Sequence, residues 1–166
     1  MKTPIDSQQL IALLDELGIA HTTVEHPPLR TVDDSRRLRG NLGGGHVKNL
    51  FLKDKKGGYW LLAALEQTTV DLRVAAGLLG APRFSFAKAE ELAQVLGIIP
   101  GAVSPFAAVN DMEGRVRVVL DQRLLDLSLL NFHPLRNDRT MTITSTDLLK
   151  FLEAVDHPPR LIHLPN

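Results

Sequence analysis

His46-Val-Lys48-Asn49-Leu50-Phe51-Leu52-Lys53-Asp54, then Lys55-Lys56-Gly57-Gly58, then Tyr59-Trp60-Leu61-Leu62: this stretch decides how the chain folds. Two apolar runs flank a charged turn with paired glycines, which is the pattern of a β-hairpin. Leu50, Phe51 and Leu52 place apolar side chains on both faces of the first strand, so its middle is expected to be covered on both sides. Lys48 and Asn49 precede that buried stretch, at the strand's mouth. A lysine there holds a fixed positive charge against a partly dry cavity, which suits a phosphate or a polarised carbonyl. A solvated strand-end lysine is the competing reading.

Working outward, Ser7 to Leu17 has helical apolar spacing (Leu10, Ile11, Leu13, Leu14, Leu17), with Ser7 as a cap and Gly18 as its stop. His21 to Glu25 reads as a short strand halted by Pro27-Pro28, and Thr31 opens a short helix. Thr69 to Leu79 reads as a helix capped by Thr69 or Asp71 and closed by Gly80. Another starts at Ser85 or Ala87 and reaches Leu96. Strands are expected over Phe106–Asn110, Arg115–Leu120, Leu129–Phe132 and Met141–Thr144, then a last helix, Thr146–Val155, capped by Ser145. No repeat or linker interrupts the pattern. The expectation is one α+β domain over residues 1–166 with a mixed sheet.

At 166 residues, 44% hydrophobic and 23% charged, the chain has the composition of a soluble globular protein. No apolar run approaches the ~18 residues that cross a bilayer, and the N-terminus lacks an apolar signal core. A cytoplasmic location without membrane contact is expected. The absence of cysteine excludes disulfides, thiolate zinc sites and a cysteine nucleophile. Net charge is zero, yet between Arg36 and Lys56 seven cationic side chains stand against Asp54 alone, a local +6. A basic face on a neutral protein suits a phosphate backbone that is gripped and released.

Three segments could carry chemistry. The first holds Lys48, Asn49 and Lys53. The second is Gly101-Ala102-Val103-Ser104-Pro105-Phe106, where glycine permits a tight turn and proline removes one amide donor. The third is Phe132-His133-Pro134-Leu135-Arg136-Asn137-Asp138-Arg139-Thr140, a polar break between two expected strands. Familiar catalytic sets are missing: no His-Glu-x-x-His, no metal spacing among six histidines, and no Gly-x-Ser-x-Gly elbow at Ser104. Gly40 to Gly45 lacks the Gly-Lys-Ser/Thr of a nucleotide-triphosphate loop and reads as a flexible lead-in to the Lys48 strand. Trp60 and Phe51 read as core. No sequence-specific DNA motif is visible.

Together, in this order and spacing, the three segments resemble the free-standing aminoacyl-tRNA deacylases related to the editing domain of prolyl-tRNA synthetase, the YbaK-like superfamily. The likeness covers essentially the whole chain. Lys48 to Leu61, with Ser104-Pro-Phe-Ala-Ala-Val-Asn-Asp, looks closest to the branch that clears alanine from proline tRNA. The resemblance implies a mixed, mostly antiparallel, partly barrel-like sheet surrounded by helices. It also implies hydrolysis of a mischarged aminoacyl ester by water, helped by the sugar hydroxyl, with no metal or organic cofactor. Lys48 and His133 would be the catalytic residues, Lys48 anchoring the terminal nucleotide and His133 either touching substrate or bracing its loop. Asn49, Lys53 and the Gly101–Phe106 loop would line the substrate pocket, Ala102 and Val103 forming its walls with Leu29. The acceptor end of tRNA(Pro) would be the partner, gripped through Arg36, Arg37, Lys55, Lys56 and Arg83, with prolyl-tRNA synthetase as a further partner. A deacylase of the same fold acting on cysteine or serine esters, and a non-catalytic nucleic-acid-binding module, stay open.

Overall fold

The computed structural model describes residues 3–28 and 43–165. Leu29, Arg36, Arg37 and the helix expected at Thr31 lie outside them. In chain order the elements are α1 (Ser7–Glu16), β1 (Thr22–Glu25), β2 (Gly45–Asp54), β3 (Tyr59–Leu65), α2 (Leu72–Leu79), β4 (Phe84–Phe86) and α3 (Ala89–Leu96). Short 3-10 turns follow at Pro100–Ala102 and Pro105–Asn110. Then come β5 (Val116–Asp121), a 3-10 turn at Gln122–Asp126, β6 (Leu129–Phe132), β7 (Arg139–Thr144), α4 (Ser145–Ala154) and β8 (Arg160–Ile162). The strands form one sheet in the order β1-β7-β6-β2-β3-β5-β8, with β4 added to β2. Pairing is antiparallel for β1–β7, β6–β7, β2–β3 and β2–β4, and parallel for β2–β6, β3–β5 and β5–β8. The fold is therefore α+β with a mixed sheet.

The β2–β3 hairpin separates two cores, as the Leu50-Phe51-Leu52 run requires. Phe51, Leu61 and Ala63 join the larger core with α1, α3, α4, β6 and β7. Leu52, Trp60, Leu62 and Ala64 join the smaller one under α2 and Phe84. At the turn, the Asp54 amide donates to the Gly58 carbonyl at 2.8 Å, and Gly57 sits at φ 88°, a conformation that favours glycine. The buried Asp54 carboxylate accepts from the Lys56 and Gly58 amides and from the Trp60 indole, each at 2.9 Å. Burial alone would raise its pKa. The indole and the two amides outweigh that and hold it below the usual carboxylate range. A Cβ on Gly58 would meet Asp54 Oδ2 at 2.6 Å. Gly58→Ala is therefore expected to cost about 1–2 kcal/mol in a urea melt, because it pushes the carboxylate off its donors. An unchanged midpoint would show that the turn tolerates the loss.

Several local expectations need correction. Phe106–Asn110 is a 3-10 turn, not a strand. Pro105 opens it, where its missing N–H costs nothing, and the Ala107 amide closes onto Ser104 O at 3.0 Å. Phe84–Phe86 is a strand, since it finds the free edge of β2 beside Leu52 to Asp54. The following helix starts only at Ala89, where Glu91 reaches back to the Lys88 amide. Asp6 caps α1 in place of Ser7, through a reciprocal pair with Gln9. Thr144 caps α4 in place of Ser145, accepting from the Asp147 amide. Strand β8 was not expected; it extends the sheet beyond β5.

Candidate active site

Strand alternation sorts the residues around Lys48. On β2, Leu50 and Leu52 face the smaller core and Val47 and Phe51 the larger. Lys48, opposite Ala64, therefore shares the face of His46 and Leu50, and Asn49, opposite Ala63, takes the other. On β6 and β7, Leu130, Phe132, Met141 and Ile143 fill the larger core, which leaves Asn131, Thr140 and Thr142 on the opposite face. Asn131 and Thr142 are hydrogen-bonded across the strands, and Asn131 Nδ2 donates to Gly43 O at 2.8 Å.

The parallel register between β2 and β6 pairs Gly45 with Leu130 and His46 with Asn131, and it ends there. Two residues further along the chain from this pair stand Lys48, still on β2, and His133, the first residue past the end of β6. The far edge of β2 is next occupied only at Leu52, by β4. Among the described residues, no strand covers that edge from Val47 to Phe51. The Ala87 amide donates to Phe51 O at 3.0 Å, so the main chain of Asn49, two residues back, points to the same open edge. A gap between adjacent parallel strands leaves room and unpaired backbone for a ligand.

Two segments close around this opening. His133 Nδ1 lies 2.9 Å from Arg139 O. A carbonyl only accepts, so Nδ1–H donates and Nε2 is left with its lone pair. Burial pushes the His133 pKa below the ordinary histidine value, which keeps the ring neutral near pH 7. The turn after it holds Leu135 at φ 68°, an unfavourable conformation for a leucine. Against that turn lies the Gly101 loop. A Cβ on Gly101 would meet Asn137 Nδ2 at 3.3 Å, and the Phe106 ring stands edge-on to Phe132 with centroids 5.7 Å apart. Ala102, Ser104 and Pro105 are buried and Val103 half-buried. Asn49 Oδ1 and Ser104 Oγ are buried without a hydrogen-bond partner. Such orphans are costly, and a bound polar group would satisfy them.

Other residues named from the sequence fall elsewhere. Lys53 is about 16 Å along β2 from Lys48 by strand rise. Its ammonium pairs with Glu91 at 2.9 Å, and Glu91 also accepts from the Tyr59 hydroxyl at 2.6 Å. These two donors bring Glu91 down to about 2. Lys55 and Lys56 are exposed in the hairpin turn at the far end of the strand. Arg83 is exposed in a separate groove with Asp71, Arg73 and Phe84. Among the described residues, no group of three His, Cys, Asp or Glu could hold a metal ion, and no helix is long and apolar enough to cross a membrane. His26, Asn131 and Thr142 escaped the sequence reading, whereas Asn137 and Thr140 fell within its third segment without a role of their own. The alternation Thr140-Met141-Thr142-Ile143 was the signal that could have marked the polar face.

A family model described as an aminoacyl-tRNA editing domain matches residues 26–151, which include all three motif segments. The chain belongs to the aminoacyl-tRNA editing domain family. Relatives of this editing-domain family extend over nearly the whole chain. A prolyl-tRNA editing protein ProX of Acetoanaerobium sticklandii is 35% identical, covering 95% of this chain and 96% of its own. A prolyl-tRNA synthetase associated domain-containing protein 1 of Xenopus laevis is 37% identical, covering 94% and 95%. A multifunctional Ser/Thr-tRNA deacylase ProXp-y of Escherichia coli is 27% identical over 92% and 91%. The editing-domain fold is shared with a crystal structure described as a candidate trans-editing enzyme for prolyl tRNA synthetase, at TM-score 0.74 and 23% identity, with 99% of both chains covered.

Proposed function

We propose that this chain is a cytoplasmic trans-editing hydrolase that cleaves the ester of alanine mischarged on tRNA(Pro). The observation that supports the reading is the parallel register of β2 and β6, which pairs His46 with Asn131 and, continued two residues along both chains, would bring Lys48 and His133 to one face beside the uncovered edge of β2. Lys48 offers an ammonium for the terminal nucleotide. The main chain of Gly101 to Pro105 holds the aminoacyl group, with Asn49 and Ser104 as polar partners and Ala102 and Val103 as walls. The neutral His133 Nε2 faces the ester as an acceptor. Water attacks the carbonyl, helped by the free hydroxyl of the terminal ribose. An aminoacyl ester is already activated, so positioning and oxyanion stabilisation are adequate to hydrolyse it.

A synthetase pocket shaped for proline rejects a smaller side chain by only ~1–3 kcal/mol per missing methylene, and a second, tighter site supplies the rest. Prolyl-tRNA synthetase is a fitting partner, given the names of the relatives. Phosphate contacts would come from Arg36, Arg37, Lys55, Lys56 and Arg83, and Lys53 reaches RNA only if it leaves Glu91. The test is a time course with Ala-, Ser-, Cys- and Pro-tRNA(Pro). Alanine ester is expected to disappear and proline ester to persist. Binding without ester loss would leave only a binding module. Equal loss of serine and alanine would favour the broader specificity that the Escherichia coli relative's name describes.

A further inference from the structure

His26 has no part in the roles given so far, yet it contacts the His133 turn through its main chain, its ring nitrogen and its ring edge. It follows β1, and its amide donates to Asp138 O at 2.9 Å. Its Nδ1 lies 2.8 Å from Pro27 O, so Nδ1–H donates there, and in the neutral ring Nε2 accepts from the Thr140 hydroxyl at 2.9 Å. With both nitrogens engaged the ring is fixed in its plane. It stands edge-on to His133, with centroids 6.3 Å apart and planes at 63°. The turn it grips contains the left-handed Leu135, and such a conformation persists only where the surroundings over-determine it. The charged groups beside it satisfy one another: Arg136 clasps Asp138 and Arg139 leans to Glu25.

We infer that His26 is the positioning residue of His133: with Thr140 it fixes the imidazole so that Nε2 is aimed at the ester. The inference rests on the reading above for its effect on rate, and on geometry alone for its effect on the ring. Three variants separate the contributions. His26→Ala removes ring and acceptor, His26→Gln keeps an acceptor within reach of Thr140, and Thr140→Val removes the hydroxyl but leaves His26. A misplacement of about an ångström is enough to cost 10- to 100-fold. His26→Ala and Thr140→Val are therefore expected to lower kcat on Ala-tRNA(Pro) by about tenfold with KM within about twofold, and His26→Gln to recover most of it.

Ring nitrogen NMR supplies a readout that needs no turnover. His133 should be a single Nδ1–H tautomer in the native chain and in His26→Gln, and a mixture in His26→Ala. Unchanged kcat in His26→Ala, a glutamine variant no better than alanine, or an undisturbed His133 tautomer would each overturn the assignment. If the native chain cleaves no ester, the function falls, and the tautomer spectra still decide whether His26 orients His133.

Discussion

Lys48→Ala is expected to lower the rate of deacylation of Ala-tRNA(Pro) by ~10²–10³-fold, the usual cost of removing one well-placed stabilising group from a closed site. The fold should survive. Lys48 is only half-buried, and its neighbour across the hairpin is the small Ala64, so no packed side chain loses its support. Circular dichroism and the thermal midpoint of the variant should match the native chain within a few degrees. Lys48→Arg keeps the charge but spreads it over a planar fork, and it is expected to restore binding of tRNA more than turnover. Native turnover in the alanine variant would remove Lys48 from the site. A collapsed thermal midpoint would instead give it a structural role.

The hairpin was legible because its information is local. Two apolar runs and a Gly-Gly turn specify pairing, and an unbroken Leu-Phe-Leu specifies burial on both faces. The three segments were legible as motifs, although nothing in their spacing shows that the strand before His133 pairs with the strand that carries Lys48. That pairing, β6 inserted parallel to β2, is a contact between residues 85 positions apart. The same insertion turns Asn131, Thr140 and Thr142 from ordinary alternating polar residues into the floor beside the opening. His26 was hidden for a related reason, since Thr140, the partner of its Nε2, sits 114 residues away on β7. Lys53 shows the reverse failure. It sits in the motif, but Glu91 on α3 claims its ammonium, and no local pattern announces that ion pair. At Phe106–Asn110 the apolar run suggested a strand, and the proline before it decided otherwise.

The largest loss of stability is expected far from the opening, where the His157 and Asp111 side chains meet in the interior at 2.8 Å. Asp111 also accepts from the Arg115 and Val116 amides, at 2.9 and 2.7 Å, and so ties the start of β5 to the end of α4. His157 Nδ1 is used on Val155 O. Asp111 raises the His157 pKa against the effect of burial. Burial would raise that of Asp111, but His157 and the two amides outweigh it and lower it. The two directions set the pH window. The raised His157 contributes stability that is complete below its unfolded value of 6.5 and fades as pH climbs through its folded value. The lowered Asp111 contributes stability that is complete above 3.8 and fades as pH drops through its folded value. His157→Ala, which leaves the buried carboxylate short of one charged donor, is expected to cost about 3 kcal/mol near pH 5.5. At this chain length that corresponds to a midpoint lower by roughly 6–12 °C. The gap between native and variant midpoints should narrow steadily as pH rises beyond the folded pKa of His157. A gap of constant size from about pH 5 to 9 would mean that His157 is neutral throughout and joins Asp111 by an uncharged hydrogen bond, the weaker of the two kinds.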